Sequence, residues 1–307
     1  MTTIARARLA MACMAASALI GCGDDSPRDP ANDSEACPLL DAAQVPNAGL
    51  YTHRIEYSTS TDAVHFTHQD AVLLEHASVP DAVVRPDGAI WVYYINANPG
   101  QHAVFIAEFD RANERLVPFD CVRIDGKVNG NAVDPDVVRL ADGRYRLHVF
   151  EGWFVSPPPP GQPPHAFYAA VSEDGIHFTT EAKVLETEGG GTDPTVAQAS
   201  DGTWVLAVTH DSEGVIVATS RDPIAPYTRT GDTFPGGIPE LAAFEDGSVR
   251  LYVAGMDGFR VYRTTDAAET WTLEQHGPGG GADPSLIHNP DGTYTLFTKS
   301  FDAPPPR

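Results

Sequence analysis

Basic residues are scarce in this sequence. It contains 20 Lys and Arg against 42 Asp and Glu, which leaves a formal net charge of −22 at pH 7. A chain this acidic repels phosphate backbones and anionic lipid headgroups. The charge balance therefore argues against a nucleic-acid partner and against direct electrostatic attraction to a membrane.

Several signatures of specific chemistry are also absent from the sequence. It has no Gly-rich phosphate loop, no His or Cys cluster at metal-ligand spacing, and no nucleophile elbow. A helical period is missing as well, so no helical repeat competes with the strand pattern described below. Nucleotide binding, a zinc site and serine-hydrolase chemistry thus find no support.

A long apolar run is missing too. The run Leu9–Ile20 follows the basic residues Arg6 and Arg8 and is too short to span a bilayer. Basic start, short apolar run and small residues together predict a cleaved export signal over residues 1–21.

The segment Leu19-Ile20-Gly21-Cys22 resembles the bacterial lipobox, in which the Cys receives lipid and becomes the mature N-terminus. Cys13 is the weaker lipobox candidate because it would split the apolar run. The alternative is an ordinary secretory signal with an incidental Cys. Lipidation of Cys22 predicts a protein of the bacterial cell envelope, at the outer membrane or cell surface, whose membrane contact is the lipid anchor alone.

Cysteines are few, and only Cys37 and Cys121 remain after Cys13 and Cys22. In an oxidising compartment these two could form one disulfide, and two free buried thiols are the alternative. Residues 23–36 are acidic, contain Pro and nearly lack large apolar groups, which predicts a disordered spacer. We therefore divide the mature chain into a tether (22–50), one folded domain (51–301) and a Pro-rich tail (302–307).

Five segments of the domain align without gaps. Each has a Pro seven residues before the Asp of an Asp-Gly pair, and these prolines are Pro80, Pro135, Pro194, Pro239 and Pro284. Asp-Gly between two apolar runs predicts a β-hairpin, because Gly adopts the positive φ that tight turns need. The strand after each pair alternates, as in Val92, Leu147, Leu206, Leu251 and Leu296, which indicates a strand with one buried face.

The repeat predicts an all-β fold, a five-bladed β-propeller. The fifth hairpin has little chain after it, whereas the segment from Tyr51 to Phe66 matches the second half of another blade. We expect these N-terminal strands to complete the C-terminal blade and close the ring, which removes exposed sheet edges. A closed ring of this kind is expected to be a monomer.

Acidic residues flank the five prolines at the face where the first strands begin. Asp134, Asp193 and Asp283 precede a Pro, and Asp81, Asp136 and Glu240 follow one, so every blade carries a carboxylate. Carboxylates that converge on one pocket raise the pKa of some of them, which is how a general acid is made. The alternatives are turn caps at strand starts, or a structural Ca²⁺ bound in the central channel.

The loops after the second strands lie on the same face. The longest follows Glu151, and its Trp153 could offer a sugar-stacking wall or simply cover the blade edge. His210 stands at the matching position of the third blade and is a candidate ligand contact or a satisfied rim histidine. We list Asp134, Asp136, Glu151, Trp153, His210 and Asp283 as candidate substrate-binding residues.

At these strand starts the chain resembles the five-bladed superfamily of arabinanases, β-xylosidases and invertases. The arabinanase branch carries a base Asp before the blade-one Pro, an Ala-Pro-Asp entry in blade two, a pKa-tuning Asp before the blade-three Pro, and an acid Glu two residues before the blade-four Pro. Asp136 and Asp193 match blades two and three. Asp81 and Glu240 instead follow their prolines, and Gly237 stands where the family has its Glu.

The resemblance implies an inverting glycoside hydrolase acting on plant- or microbe-derived glycans. Asp81 would be the base that activates water, Glu240 the acid, and Asp193 the residue that tunes the pKa of Glu240. A non-catalytic glycan-binding lipoprotein is the alternative. A weaker likeness to sialidase Asp boxes rests on segments such as Thr264–Trp271. No cofactor is predicted apart from the Ca²⁺ left open above.

Overall fold

The computed structural model describes residues 36–37, 40, 45, 49–96, 103–128, 132–151, 165–188, 190–255, 258–277 and 281–301. These residues form five antiparallel sheets arranged as the blades of a propeller. The predicted all-β, five-bladed fold is confirmed. The predicted signal peptide, Cys22, most of the tether, Trp153 and the Pro-rich tail lie outside the described residues.

Each blade is a four-stranded meander, and the second blade gains a fifth strand, β7, which runs parallel to β11. Blade one contains β3 (Ala77–Val84), β4 (Ile90–Asn96), β5 (Val104–Asp110) and β6 (Arg115–Cys121). Blade two contains β7 (Arg123–Ile124), β8 (Ala132–Arg139), β9 (Tyr145–Glu151), β10 (His165–Ser172) and β11 (His177–Thr187). Blade three contains β12 (Thr192–Gln198), β13 (Trp204–His210), β14 (Gly214–Ser220) and β15 (Thr228–Phe234).

The remaining strands form the last two blades. Blade four contains β16 (Ile238–Ala243), β17 (Val249–Gly255), β18 (Gly258–Thr264) and β19 (Thr272–Gly277). Blade five contains β20 (Ala282–His288), β21 (Tyr294–Phe301), β1 (His53–Ser60) and β2 (Thr67–Glu75). Two short 3-10 turns, Gly49–Thr52 and Arg111–Asn113, complete the regular structure of the described residues.

The ring closes between the two ends of the domain. Strand β1 pairs with β21 in an unbroken antiparallel register from His53 opposite Phe301 to Ser60 opposite Tyr294. The predicted closure by N-terminal strands is confirmed. Because neighbouring blades pack face to face, unfolding of the fifth blade would expose one sheet face of blade one and one of blade four.

All five Asp-Gly pairs form the predicted hairpin turns. The glycines have φ between 82° and 93°, the left-handed region that only Gly adopts without strain. In each turn the Asp carboxylate accepts the backbone N–H two residues further on, as Asp87 does from Ala89 at 3.1 Å. These turns define the lower end of the propeller, opposite the end at which the first strands begin.

The core lies between neighbouring blades. Trp91, Tyr93 and Ile95 of blade one, for example, belong to one buried cluster with Leu147 and Phe178 of blade two. Trp91 and Trp204 are packing residues of this core, since they are only 6% and 8% exposed. Each sheet thus buries one face against the blade before it and the other against the blade after it.

A disulfide joins Cys37 to Cys121 at the end of β6, with 5.8 Å between the Cα atoms. Of the two alternatives that the sequence leaves open, the bonded one is therefore found. Cys121 lies at the upper end of the outermost strand of blade one, the end at which the first strands begin. Among the described residues no helix has the length and apolar character required to cross a membrane.

Candidate functional site

The five first strands, β3, β8, β12, β16 and β20, line the central channel with the residues on either side of their prolines. In four blades the residue before Pro has a left-handed φ of 47° to 52°: Val79, Asp134, Asp193 and Asp283. The pairing register shifts at the same point in these four strands, which marks a β-bulge with one extra residue. A non-glycine residue in this conformation is uncommon, and such strain concentrates at functional sites.

The residues after the prolines form a circular hydrogen-bond network, which we call the staple ring: Asp81, Asp136, Thr195, Glu240 and Ser285. Each side-chain oxygen accepts the backbone N–H two residues past the proline of the next blade. The pairs are Asp81 with Val137 (2.6 Å), Asp136 with Val196 (3.2 Å), Thr195 with Leu241 (2.9 Å), Glu240 with Leu286 (3.0 Å) and Ser285 with Ala82 (2.9 Å). The ring therefore ties every blade to its successor, including the fifth to the first.

The three carboxylates of the staple ring lie close together. One oxygen each from Asp81, Asp136 and Glu240 falls within 4.8 Å of the other two, and all three side chains are buried. Their second oxygens also have partners. Ser285 donates to Asp81 at 2.9 Å, Thr195 donates to Glu240 at 3.0 Å, and the His148 Nδ1 lies 3.1 Å from Asp136.

Burial and mutual repulsion govern the charge of this group. Burial first, and then the charge of Asp136, raise the pKa of Asp81 well above its ordinary range. Burial, followed by the charges of Asp81 and Asp136, likewise raises the pKa of Glu240. The separation of these carboxylates is shorter than the roughly 6.5–9.5 Å between the carboxyl groups of an inverting glycosidase. Their hydrogen bonds to the backbone favour a blade-stapling role.

Two other properties of the staple-ring acids bear on function. Asp81, Asp136 and Glu240 border a cavity of about 470 Å³ that opens at the lower end of the channel, where Phe244 and Tyr294 form part of its wall. They also offer the carboxylate oxygens that a Ca²⁺ ion takes as ligands, so they fit the calcium ion that the sequence leaves open. That ion stays a prediction.

A second group of acids lies at the upper end of the channel. We call Asp134, Asp193, Asp283 and Lys299 the mouth cluster. Lys299, on β21, forms an ion pair with Asp283, and the backbone N–H of Asp193 donates to the Asp134 carboxylate at 3.3 Å. Asp134 and Asp193 are partly exposed, whereas Asp283 is buried. The three residues predicted before their prolines are thus brought together.

The ionisable groups of the mouth cluster shift one another's pKa values. Burial first, and then the charge of Asp283, raise the pKa of Asp193 to about 6. Burial and the charges of Asp193 and Asp283 also raise the pKa of Asp134. Burial alone would lower the pKa of Lys299, but the three carboxylates outweigh it and raise that pKa above its ordinary value. The cluster therefore combines an ammonium of raised pKa with two carboxyls, Asp134 and Asp193, whose pKa values are also raised.

Two histidines, His165 and His210, lie at strand ends on the same side of the propeller as the mouth cluster. His210 is buried, and its Nε2 lies 2.8 Å from the carbonyl of Glu188, so it meets the description of a satisfied rim histidine. His165 contacts the carbonyl of Gly191 through Nδ1 at 2.6 Å. Glu151 is the last residue of β9 at this end. These positions match the predicted upper face.

Three residues at or near the site were missed from the sequence. Lys299 stands in the interior of a strand where nothing marks it as functional, and His148 and His53 look like ordinary strand residues. The one available signal was the order of the Asp-Pro pair. Asp precedes Pro in three blades, and those three acids are the ones that reach the upper mouth.

No protein-family model matches the sequence, and no curated protein matches it either. Solved structures do match. A family 117 glycoside hydrolase from Zobellia galactanivorans has a TM-score of 0.56 at 11% identity, covering 84% of this chain and 94% of its own. A Hadza microbial sialidase has a TM-score of 0.52 at 15% identity, covering 74% and 56%. A putative exo-β-1,3-galactanase from Bifidobacterium bifidum has 0.51 at 12% identity, covering 75% and 90%.

These likenesses establish the fold. At such low identity the chemistry has to be argued from the residues of this chain.

Proposed function

We propose that the protein is a glycoside hydrolase whose acid and base come from the mouth cluster. The observation that carries the proposal is the convergence of Asp134, Asp193 and Asp283 with Lys299 at the upper end of the channel. Asp193 is the proton donor, because a pKa of about 6 keeps part of it protonated near neutral pH. Asp283, which forms an ion pair with Lys299, is the base.

In this scheme the Asp193 proton passes to the glycosidic oxygen as the bond to the anomeric carbon breaks. The Asp283 carboxylate removes a proton from the attacking water, whose oxygen forms the new bond to that carbon. Lys299 stabilises the Asp283 charge, and that charge in turn helps Asp193 to keep its proton. The products are a reducing sugar and a free hydroxyl.

The staple ring takes a structural role in this proposal. The prediction that Asp81 is the base and Glu240 the acid stands beside it, and under that prediction the glycan would enter through the cavity at the lower end. Both residues accept a backbone N–H of the next blade, which favours the stapling role. Replacing either carboxylate would therefore also loosen the ring.

A non-catalytic glycan-binding propeller is the second candidate function. The observation that favours it is the burial of Asp81, Asp136 and Glu240 in hydrogen bonds to the backbone and to neighbouring side chains. Both candidates place a glycan at the upper mouth, so binding alone does not distinguish them.

A reducing-sugar screen and a glycan array, run on the same preparation, separate the two candidates. We expect the wild-type full-length chain to release reducing ends from at least one glycan, and Asp193→Asn to bind that glycan without turning it over. Asp87→Asn, in an exposed turn at the lower end, is the matched control and should keep full activity. A wild type that binds glycan and hydrolyses none would contradict the hydrolase and support the non-catalytic glycan-binding propeller.

We also propose that the protein is anchored in the cell envelope by lipid on Cys22. The acidic domain offers no electrostatic affinity for anionic headgroups, so membrane binding depends on the acyl chains. Wild-type protein should partition into detergent, and Cys22→Ser should be released or stay unprocessed. An N-terminal peptide without a lipid mass, from wild-type protein found in the aqueous phase, would contradict the anchor.

A further inference from the structure

Phe301 is an exposed aromatic side chain at the upper end of the channel. It is 56% exposed, more than any other exposed large hydrophobic residue among those the structure describes. Burial of an aromatic ring is normally favourable, so an exposed ring beside a polar site is a feature that binding would explain.

The Phe301 ring is held in place by its neighbour. His53 faces it across the β1–β21 pair, and the two rings meet edge to face with centroids 4.7 Å apart. The His53 Nδ1 in turn lies 2.8 Å from the Ser78 hydroxyl of blade one. Burial first, and then the charge of Lys299, lower the pKa of His53 to about 3, so the supporting ring is neutral at physiological pH.

The same ring borders the mouth cluster. Phe301 lies two residues after Lys299 on β21, and the Lys299 Nζ lies 5.6 Å from its ring centroid. Around the channel, the residue before Pro is an acid in blades two, three and five but Val79 in blade one and Ile238 in blade four. Phe301 lies where blade five meets blade one. Here the residue before Pro is the acidic Asp283 on one side and the apolar Val79 on the other.

We propose that Phe301 is a stacking platform for one neutral sugar unit bound at the mouth cluster. A pyranose or furanose has one face of C–H groups and an edge of hydroxyls. The C–H face would lie on the aromatic ring while the hydroxyls reach the carboxylates. This inference rests on the proposed function and adds to it the position and charge of the substrate.

The charge of the mouth excludes acidic sugars. The Lys299 ammonium is already paired with Asp283, so a uronic acid, a sialic acid or a sulfated sugar would have to compete with that carboxylate for the cation. Two arginines lie near this end, but Arg54 is paired with Glu56 at 2.8 Å and Arg260 donates to the carbonyl of Pro235 at 3.3 Å. Neutral pentoses and hexoses are the class that fits.

The test compares Phe301→Ala, Phe301→Trp and Phe119→Ala on the glycan that the wild-type chain hydrolyses. Phe119 is the matched control because it is 47% exposed but packs on Trp91 at the outer edge of blade one. We expect Phe301→Ala to raise KM about tenfold with a smaller change in kcat, since stacking contributes on the order of 1.4 kcal/mol, one factor of ten. Phe301→Trp should retain or improve KM, and Phe119→Ala should match the wild type.

The outcomes separate this inference from the proposed function. If Phe301→Ala keeps the wild-type KM while Asp193→Asn loses turnover, the platform is wrong and the hydrolase stands. A wild type that prefers a uronate over its neutral counterpart also overturns the platform proposal. If the wild type neither binds nor hydrolyses any glycan, the proposed function fails and the platform with it. Circular dichroism of each variant confirms that a raised KM does not reflect unfolding.

Discussion

Ser285, at the start of the fifth blade, donates a hydrogen bond to the Asp81 carboxylate in the first blade, with 2.9 Å between the oxygens. Its hydroxyl oxygen also accepts the backbone N–H of Ala82 at 2.9 Å. Ser285 and Asp81 are 204 positions apart in the sequence, and their contact crosses the seam at which the ring closes. One small side chain thus joins the first and last blades inside the channel, in addition to the strand pairing at β1 and β21.

Ser285→Ala should therefore destabilise the domain. The substitution leaves the buried N–H of Ala82 without its acceptor and one oxygen of the buried Asp81 carboxyl without its donor, and each such loss costs about 1–3 kcal/mol. We expect the free energy of unfolding to fall by that order and the melting temperature by several degrees. Denaturant unfolding measures the change. The control is Ser200→Ala, which removes an exposed hydroxyl, and an equal effect in both variants would contradict the stapling role.

Glu240→Gln distinguishes a staple from a catalytic acid. In a stapling role the neutral amide still accepts the N–H of Leu286, so stability and turnover should both stay near the wild-type values. If Glu240 is the acid, kcat should fall by about 10²–10⁴ on unactivated glycans, because Gln donates no proton to the leaving group. Glu240→Ala should reduce stability in either case. Initial rates and thermal melts of the two variants decide between the roles.

Asp193→Asn should remove general-acid catalysis. We expect kcat on an unactivated glycan to fall by about 10²–10⁴, with a much smaller loss on an aryl glycoside whose leaving group needs no proton. In the wild type, kcat/KM should decline as the pH rises through about 6, because the donor loses its proton there. If kcat/KM of the wild type does not change from pH 5 to 8, Asp193 is not the proton donor.

Thermal stability should fall as the pH rises from 5 to 8. Asp81, Asp134, Asp193 and Glu240 all have raised pKa values in the fold. A raised pKa means that the folded state binds more protons than the unfolded state. The resulting stability is present below the unfolded pKa and is lost as the pH rises through the folded one. For Asp193 this window runs from 3.8 to about 6.

Melting temperatures across that range, for wild type and Asp193→Asn, test the linkage. The variant should show a shallower slope, because one of the four contributing groups is gone. Asp174→Asn is the control. The pKa of Asp174 is lowered to about 2, so it is ionised in both states above pH 5 and contributes no slope there. His53 acts in the opposite direction below pH 6.5, because its lowered pKa means that only the unfolded state protonates it there. A stability that rises between pH 6.5 and 8 would contradict the raised pKa values of the carboxyls.

Reduction of the Cys37–Cys121 disulfide should lower stability. The bond closes a loop of 84 positions, and the chain-entropy model gives on the order of 4 kcal/mol for a loop of that size. The double substitution Cys37→Ser with Cys121→Ser should match the reduced wild type. Melting with and without reductant measures the effect, and equal melting temperatures would show that the bond does not constrain the unfolded chain.

The fold can be predicted from the sequence because the residues of the repeat determine the backbone conformation at strand starts and turns. A Pro at each strand entry and an Asp-Gly pair at each turn specify the same hairpin five times, and the turns have the positive φ that this pattern requires. The N-terminal strands were predictable because their pattern matches the half-blade missing from the C-terminus. The pairing of Cys37 with Cys121 was left open, since sequence spacing does not show that two residues meet.

The site is less predictable for a physical reason. Asp134 and Asp136 lie two positions apart, yet one reaches the mouth cluster and the other the staple ring. A β-bulge at the residue before Pro makes this difference, and neither its left-handed φ nor its extra residue is visible in the spacing. Lys299 and Phe301 were missed because their importance comes from a neighbouring strand that is distant in the sequence.

The position of the disulfide also limits how far the domain can reach. Cys121 lies at the upper end of the propeller, so the covalent link to Cys37 begins on the side of the mouth cluster. With Cys22 as the lipid-bearing residue that we propose, only residues 23–36 separate the bilayer from that link. Fully extended, such a segment measures at most about 50 Å. In the oxidised protein this length would limit how far from its own membrane the domain can bind a glycan. Reduction of the Cys37–Cys121 bond would lengthen the tether and extend that distance.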